Sequence, residues 1–229
     1  MSKEIKNSQE AAVAEAVSKT ELFFENNGKK FLIGLLLVVV LIAGGYAYKA
    51  LVLDKNAERA AELIVDAQQR FGEENADFAL ALNGDEKGAG FLDVIEQYGS
   101  TPVGNLAKHY AGICYVRLGD WANAEKYLAQ FDEVDGLSGE LLNAQNAGLL
   151  GDVAVEQDKF EEAVAYYKKA IAASKNNFSA PTYLQKLILV YVALGNAEEA
   201  EACFEQLRKE YPFTLETRES EKVMGVFKK

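Results

Sequence analysis

The chain has 229 residues, 49% of them hydrophobic, with 24 Lys and Arg against 35 Asp and Glu and a formal charge of −11. Residues 1–49 hold six basic and five acidic side chains, so the remaining 180 residues carry 18 basic against 30 acidic, a net of −12. A segment of that sign repels phosphate backbones and anionic lipid, which argues against nucleic acid and leaves proteins and peptides as ligands. Three prolines and an Ala- and Leu-rich composition point to an all-α chain long enough to bury a core without staples.

Near the N-terminus, Phe31 to Tyr48 are eighteen uncharged, mostly apolar residues in a row. At ~1.5 Å per residue a helix of that length spans about 27 Å, close to the ~30 Å hydrocarbon core of a bilayer. Lys29, Lys30 and Lys49 bracket the run, and Tyr46 and Tyr48 occupy aromatic-belt positions. A cleaved signal peptide would need a short basic leader and an apolar core of about 7–15 residues. Here thirty residues of mixed charge precede a longer run, and no cysteine before Cys114 could carry a lipid. The segment therefore reads as a retained signal anchor at 29–50, between a tail of residues 1–28 and a domain of residues 51–229. Lysines are nearly balanced across it, but a long C-terminal domain translocates largely regardless of charge, so the expected topology has the N-terminus inside. Ala43 and Ala47, with Gly44 beside them, form a small-xxx-small set where a second membrane helix could approach closely.

Beyond the span, Asn56 to Leu82 reads as one long helix with Ala57, Ala60, Ile64, Ala67 and Phe71 on one face. Asn83-Gly84-Asp85 breaks it, the loop to Gly90 reads as mobile, Gly90 to Tyr98 reads as a shorter helix, and Ser100-Thr101-Pro102 ends the hairpin.

From Leu106 to Pro212 the chain repeats itself at a period near forty residues. Gly112, Tyr115, Gly119, Trp121, Ala124, Leu128 and Phe131 are matched by Gly151, Ala154, Asp158, Phe160, Ala163, Tyr167 and Ala170. The third copy has Ile188, Tyr191, Gly195, Ala197, Ala200, Phe204 and Leu207, and its alanine lies 37 residues after Ala163, itself 39 after Ala124. Small residues let two helices cross closely, and large ones a turn later fill the adjoining holes. Gly119 and Gly195 suit a left-handed helix end, and Glu161-Glu162 and Glu198-Glu199 put negative charge in a first helical turn. Ser179-Ala180-Pro181 looks like a helix start.

This pattern resembles the tetratricopeptide repeat, whose usual period is roughly 34 residues. The resemblance implies an all-α solenoid with repeats at about 105–138, 144–177 and 181–213, a degenerate copy at 56–102 and a C-terminal tail at 214–229. The longer spacing is expected to lie in extended loops at Asp132–Gly139 and Ser174–Ala180. About eight helices would form a right-handed arc whose concave face is lined by the first helix of each pair.

No catalytic, phosphate-binding or metal-binding motif is present: His109 is the single histidine, the glycines of Asn83–Gly90 are in the wrong order for a phosphate loop, and no CxxC or HExxH spacing occurs. Neither an enzyme nor a cofactor is expected, and Cys114 and Cys203 read as small buried hydrophobes, with a structural disulfide as the alternative. The expected binding stripe holds Leu106, His109, Ile113, Val116 and Arg117 in the first copy. It continues with Gln145, Gly148, Asp152, Val155 and Glu156 in the second, and Thr182, Gln185, Leu189, Val192 and Ala193 in the third. With only Arg117 and His109 basic, it suits a partner's helix or an extended apolar segment better than an acidic tail, unless the chain's own C-terminal tail packs there.

Leu22-Phe23-Phe24-Glu25-Asn26-Asn27-Gly28-Lys29 running into the apolar span, followed by degenerate repeats, resembles the YfgM-type family of bacterial inner-membrane proteins. That resemblance implies an ancillary subunit of the SecYEG-type translocon, working with a PpiD-like membrane-anchored prolyl isomerase chaperone at the periplasmic exit. A cell-envelope scaffold without translocon contact and an import receptor of inverted topology stay open as alternatives.

Overall fold

The computed structural model describes residues 27–174 and 178–227. Residues 1–26, with most of the expected tail and Leu22–Asn26 of the motif above, and residues 175–177 and 228–229 lie outside the described residues. The chain forms two compact units, Met1–Lys55 and Asn56–Lys229.

In the first unit residues 27–48 form α1. A π-helical turn, Lys49–Leu53, follows, with the Asp54 amide donating to the Lys49 carbonyl five residues back. All side chains from Lys29 to Leu53 are exposed, Leu41 at 74%. Burying so much apolar surface in water's absence is worth roughly 25 cal/mol per Å², and no protein covers it here. Among the described residues this is the one helix long and apolar enough to cross a membrane.

The second unit is built from α2 (Asp54–Phe71), which begins just before the division, α3 (Phe78–Asn83), α4 (Phe91–Tyr98), α5 (Pro102–Leu118) and α6 (Trp121–Ala129). It continues with α7 (Leu137–Glu156), α8 (Phe160–Ala173), α9 (Ala180–Ala193), α10 (Ala197–Glu210) and α11 (Leu215–Phe227). These ten helices among the described residues replace the expected eight. One reason is that Asn56–Leu82 is not a single helix. Gly72-Glu73-Glu74-Asn75 cannot extend an apolar face, and Asp77 starts α3 afresh by accepting the Leu80 amide at 2.9 Å. The other is that the tail after residue 214 is helical.

The Asn83–Gly90 loop, expected to be mobile, is a tied turn. Asp85 Oδ1 accepts the amides of Lys87 at 2.9 Å and Gly88 at 3.1 Å, and Arg70 of α2 reaches the same oxygen at 2.6 Å and the Gly88 carbonyl at 3.2 Å. These donors hold the Asp85 carboxyl below its ordinary value, the Lys87 amide most strongly.

Three hairpins, α5–α6, α7–α8 and α9–α10, follow the repeat. Ala124, Ala163 and Ala200 are fully buried. A side chain added at Gly112 would meet Leu128 Cδ2 at 2.5 Å, and one at Gly151 would meet Tyr167 Cε1 at 2.5 Å. In both copies the glycine and the large residue are sixteen positions apart, and Ile188 and Phe204 stand at the same offset in the third. Each hairpin turns through a left-handed residue: Gly119 (φ 74°), Asp158 (φ 59°) and Gly195 (φ 70°). Asp120 and Asn196 then cap α6 and α10 by accepting the amides of Asn123 and Glu199. Lys159 stands at the corresponding place before α8 and supplies no cap. Its ammonium pairs instead with Glu125 at 3.0 Å.

The extra length of the repeat is not confined to loops. α7 begins at Leu137, inside the expected Asp132–Gly139 loop, and runs 20 residues against 14 for α9. Three apolar cores follow one another: one around Ile64, Phe91 and Ala111, one around Ala124, Leu128 and Val153, and one around Tyr167, Leu184, Ile188 and Leu207. Tyr115 packs against the first two, and Tyr166 against the last two. Cys114 lies in the first core and Cys203 against the third, both as free thiols. Burial pushes Cys114 up to about 12; as free thiols against different cores, Cys114 buried and Cys203 half-buried, the two fit the small-hydrophobe reading rather than the disulfide.

Candidate functional site

Helices α7, α9 and α11 stack side by side at a constant register. Asp152 meets Lys186 at 2.6 Å, Thr182 Oγ1 donates to Glu216 at 3.2 Å, and Gln185 Nε2 donates to Glu219 at 2.9 Å. Each pair is 34 positions apart, the usual length of one repeat. α11 thus takes the place on α9 that α9 takes on α7, and Thr182 and Gln185 of the expected stripe face the chain's own C-terminal helix instead of open surface.

On α5, Leu106, Ile113 and Val116 are half-buried and Arg117 is exposed, its guanidinium 6.0 Å above the Phe78 ring. His109 corrects the expectation of a groove residue: it is 1% exposed. Its Nδ1 lies 2.9 Å from Asn146 Oδ1, and Asn146 Nδ2 donates to the Leu128 carbonyl at 3.0 Å. With the Asn146 amide so oriented, Nδ1 carries the proton; Nε2 is buried with no hydrogen-bond partner, the Phe131 and Tyr110 ring centroids lying 5.6 and 6.2 Å from that of the imidazole. Burial lowers the imidazole below its ordinary value of 6.5, and the bonds to Asn146 and Gln145 oppose that only in part. The histidine joins α5 to α7. Gly148 is likewise buried, under the Tyr183 ring.

What the stripe brings together is a cleft between α7 and α9. Asp152, Val155, Leu189 and Ala193, all expected there, line about 240 Å³ of space with Phe160, Tyr167, Lys186 and Val190. Asp152 closes one end: it accepts the Tyr167 hydroxyl at 2.7 Å and the Lys186 ammonium at 2.6 and 2.7 Å. Burial, with Asp152 and then Glu156 adding to it, pushes the Tyr167 phenol well above its ordinary range. Leu189 is 44% exposed at the lip, Glu156 is exposed beyond the open end, and Val192 is half-buried against the third core. Gln145 does not line the cleft; it is exposed on α7 on the side of His109.

Sequence reasoning missed Lys186, Tyr167 and Phe160, although the 34-residue step from Asp152 points at Lys186. It also missed Leu137 (89% exposed) and Leu141 (51%), two turns and one turn up α7 from Gln145. Leu137 lay in the segment taken as loop, and Leu141 between that loop and the expected second repeat. In the membrane-type helix Ala43, Gly44 and Ala47 are all exposed, with open space where a glycine side chain would stand at Gly44.

Tetratricopeptide-repeat family models match residues 107–133 and 154–216. No protein with a curated description matches the chain. Among solved structures, one titled as the crystal structure of MamA protein superposes with a TM-score of 0.53 at 18% identity, covering 76% of this chain and 81% of that one. A second MamA crystal structure gives 0.46 at 21% identity over 60% and 76% of the two chains. At such identity the likeness concerns the fold alone. The two matched segments and the stacked hairpins make this an all-helical protein carrying tetratricopeptide repeats, the architecture of a protein–protein interaction scaffold and typically a non-catalytic one.

Proposed function

We propose that the protein is a single-pass, membrane-tethered scaffold of the bacterial inner membrane, an accessory subunit of the Sec translocon that works with a periplasmic prolyl isomerase chaperone. The reading takes residues 1–28 as a cytoplasmic tail, 29–50 as the anchor and 51–229 as the periplasmic repeat domain. The observation that carries it is the bare apolar surface of α1, followed in sequence by repeats whose business is binding protein. Lateral packing at Ala43, Gly44 and Ala47 holds the translocon side. The open stripe on α5, α7 and α9, from Leu106, Ile113 and Val116 to Val155, Leu189 and Val192, engages the soluble partner.

Mild-detergent co-purification of two variants tests this. Replacing residues 29–50 by an unrelated membrane helix is expected to lose the translocon channel and keep the chaperone. Ile113→Asp with Val116→Asp places unpaired charge on the stripe and is expected to do the reverse. Recovery of cell-envelope assembly proteins in place of the channel overturns the translocon assignment, and a domain accessible only from the cytoplasm overturns the topology.

A further inference from the structure

The cleft between α7 and α9 is bounded differently at its two ends. At the inner end the Asp152 carboxylate is already neutralised by Lys186 and bonded by the Tyr167 hydroxyl. At the outer end α7 stops at Glu156 and α9 at Ala193. Neither last turn holds a basic side chain, as in α3, α4, α8 and α11 and unlike α5 and α10, but among the described residues only here do two such ends flank a cleft beside a carboxylate. Each helix C-terminus carries about half a negative charge and favours a cation beside it. Lys159, the nearest basic residue after α7, is engaged with Glu125 of α6. Glu156 adds a full negative charge at the same end and makes no ion pair among the described residues. Between the two ends the walls are Val155, Phe160, Leu189, Val190 and Ala193. An apolar slot leads to two helix ends capped by backbone amides but without a basic side chain, and to an exposed carboxylate.

We propose that this cleft takes one large apolar side chain of a protein segment that places a Lys or Arg beside it, the cation seating between Glu156 and the C-termini of α7 and α9. This rests on the scaffold reading above and deepens it, since it fixes the chemistry of the bound segment. The apolar group supplies affinity by leaving water, and the cation supplies direction, because the inner end of the cleft is electrically closed. Acidic and uncharged apolar segments are rejected relative to basic ones by the same outer end.

Binding of fluorescent helical peptides to the full chain in phosphatidylcholine nanodiscs, with empty nanodiscs subtracted, tests the proposal. One peptide is built of Leu and Lys, the other of Leu and Glu. The Leu/Lys peptide is expected to bind and the Leu/Glu peptide to fail. Leu189→Asp, at an exposed position that leaves the fold intact, is expected to weaken binding about tenfold or more, as loss of an anchor does. Glu156→Lys is expected to weaken it about fivefold, whereas Glu161→Lys, with the same change in net charge, should cost less than about twofold. Equal losses for the two charge reversals, or tight binding of the Leu/Glu peptide, overturn the proposal. Loss in the Ile113→Asp, Val116→Asp chain with none in Leu189→Asp also overturns it while leaving a binding stripe on α5. Failure of both peptides to bind overturns it outright, and the co-purification above then decides separately whether the chain is a scaffold.

Discussion

Two residues carry local costs that the fold makes visible. Asp158 occupies with a φ of 59° the turn position where the other hairpins place glycine. An L-residue in that region is strained by roughly 1–2 kcal/mol, less for aspartate, and glycine at the same place loses about 0.5–1 kcal/mol more entropy on folding. The strain wins narrowly, so Asp158→Gly is expected to raise stability by about 0.5 kcal/mol, read as a small rise in Tm. A fall of similar size would place the turn in another conformation. His109 is the second. Its folded imidazole protonates below 6.5, its ordinary value, so as pH falls through that value the unfolded chain gains a proton that the folded chain refuses. Stability on this account is full above 6.5, falls from there down to the folded value, and is flat below it. His109→Gln should remove that slope from a Tm series between pH 8 and 5, and an unchanged slope would assign it to other groups.

At the scale of elements, the repeat was legible because it is written in contacts. Ala124, Ala163 and Ala200 had to be small where helices cross, and all three have no exposed surface. Ala163→Leu is expected to destabilise by roughly 1–3 kcal/mol through overpacking, measured by denaturant titration. Tolerance within about 0.5 kcal/mol would mean that α7 and α8 do not cross there. Lengths were less legible. A helix that extends beyond its neighbours keeps an exposed, polar-looking end, so residues Leu137 to Gly139 read as loop. The stripe was legible as a helical face, but a face does not say what lies on it. Thr182 and Gln185 meet α11, His109 is sealed by α7, and only Asp152, Val155, Leu189 and Ala193 converge on open space. Lys186 escaped notice because an ion pair between successive helices has no local pattern, only a separation of one repeat.

Across the whole second unit the three cores stand in a row: Tyr115 packs against the first and second and Tyr166 against the second and third, while Leu128 over Gly112 and the His109–Asn146 bond also tie α5 to α6 and α7. In such a linear array the free energy is close to a sum of segment terms and nearest-neighbour coupling terms, and the coupling terms alone keep unfolding all-or-none. The two rings are thus among the joints through which one segment senses whether the next is folded. Tyr115→Ala removes such a joint along with an aromatic pair to Tyr127 at 5.4 Å. A single heat-absorption peak should then broaden, its calorimetric enthalpy exceeding the van't Hoff value, because Leu128 over Gly112 still links the part up to α5 to the part from α6 on. Conversely, a chain that must yield at one end to receive a partner, while staying fixed at the other, has at each joint a place where cooperativity can be loosened by one substitution without moving a binding residue.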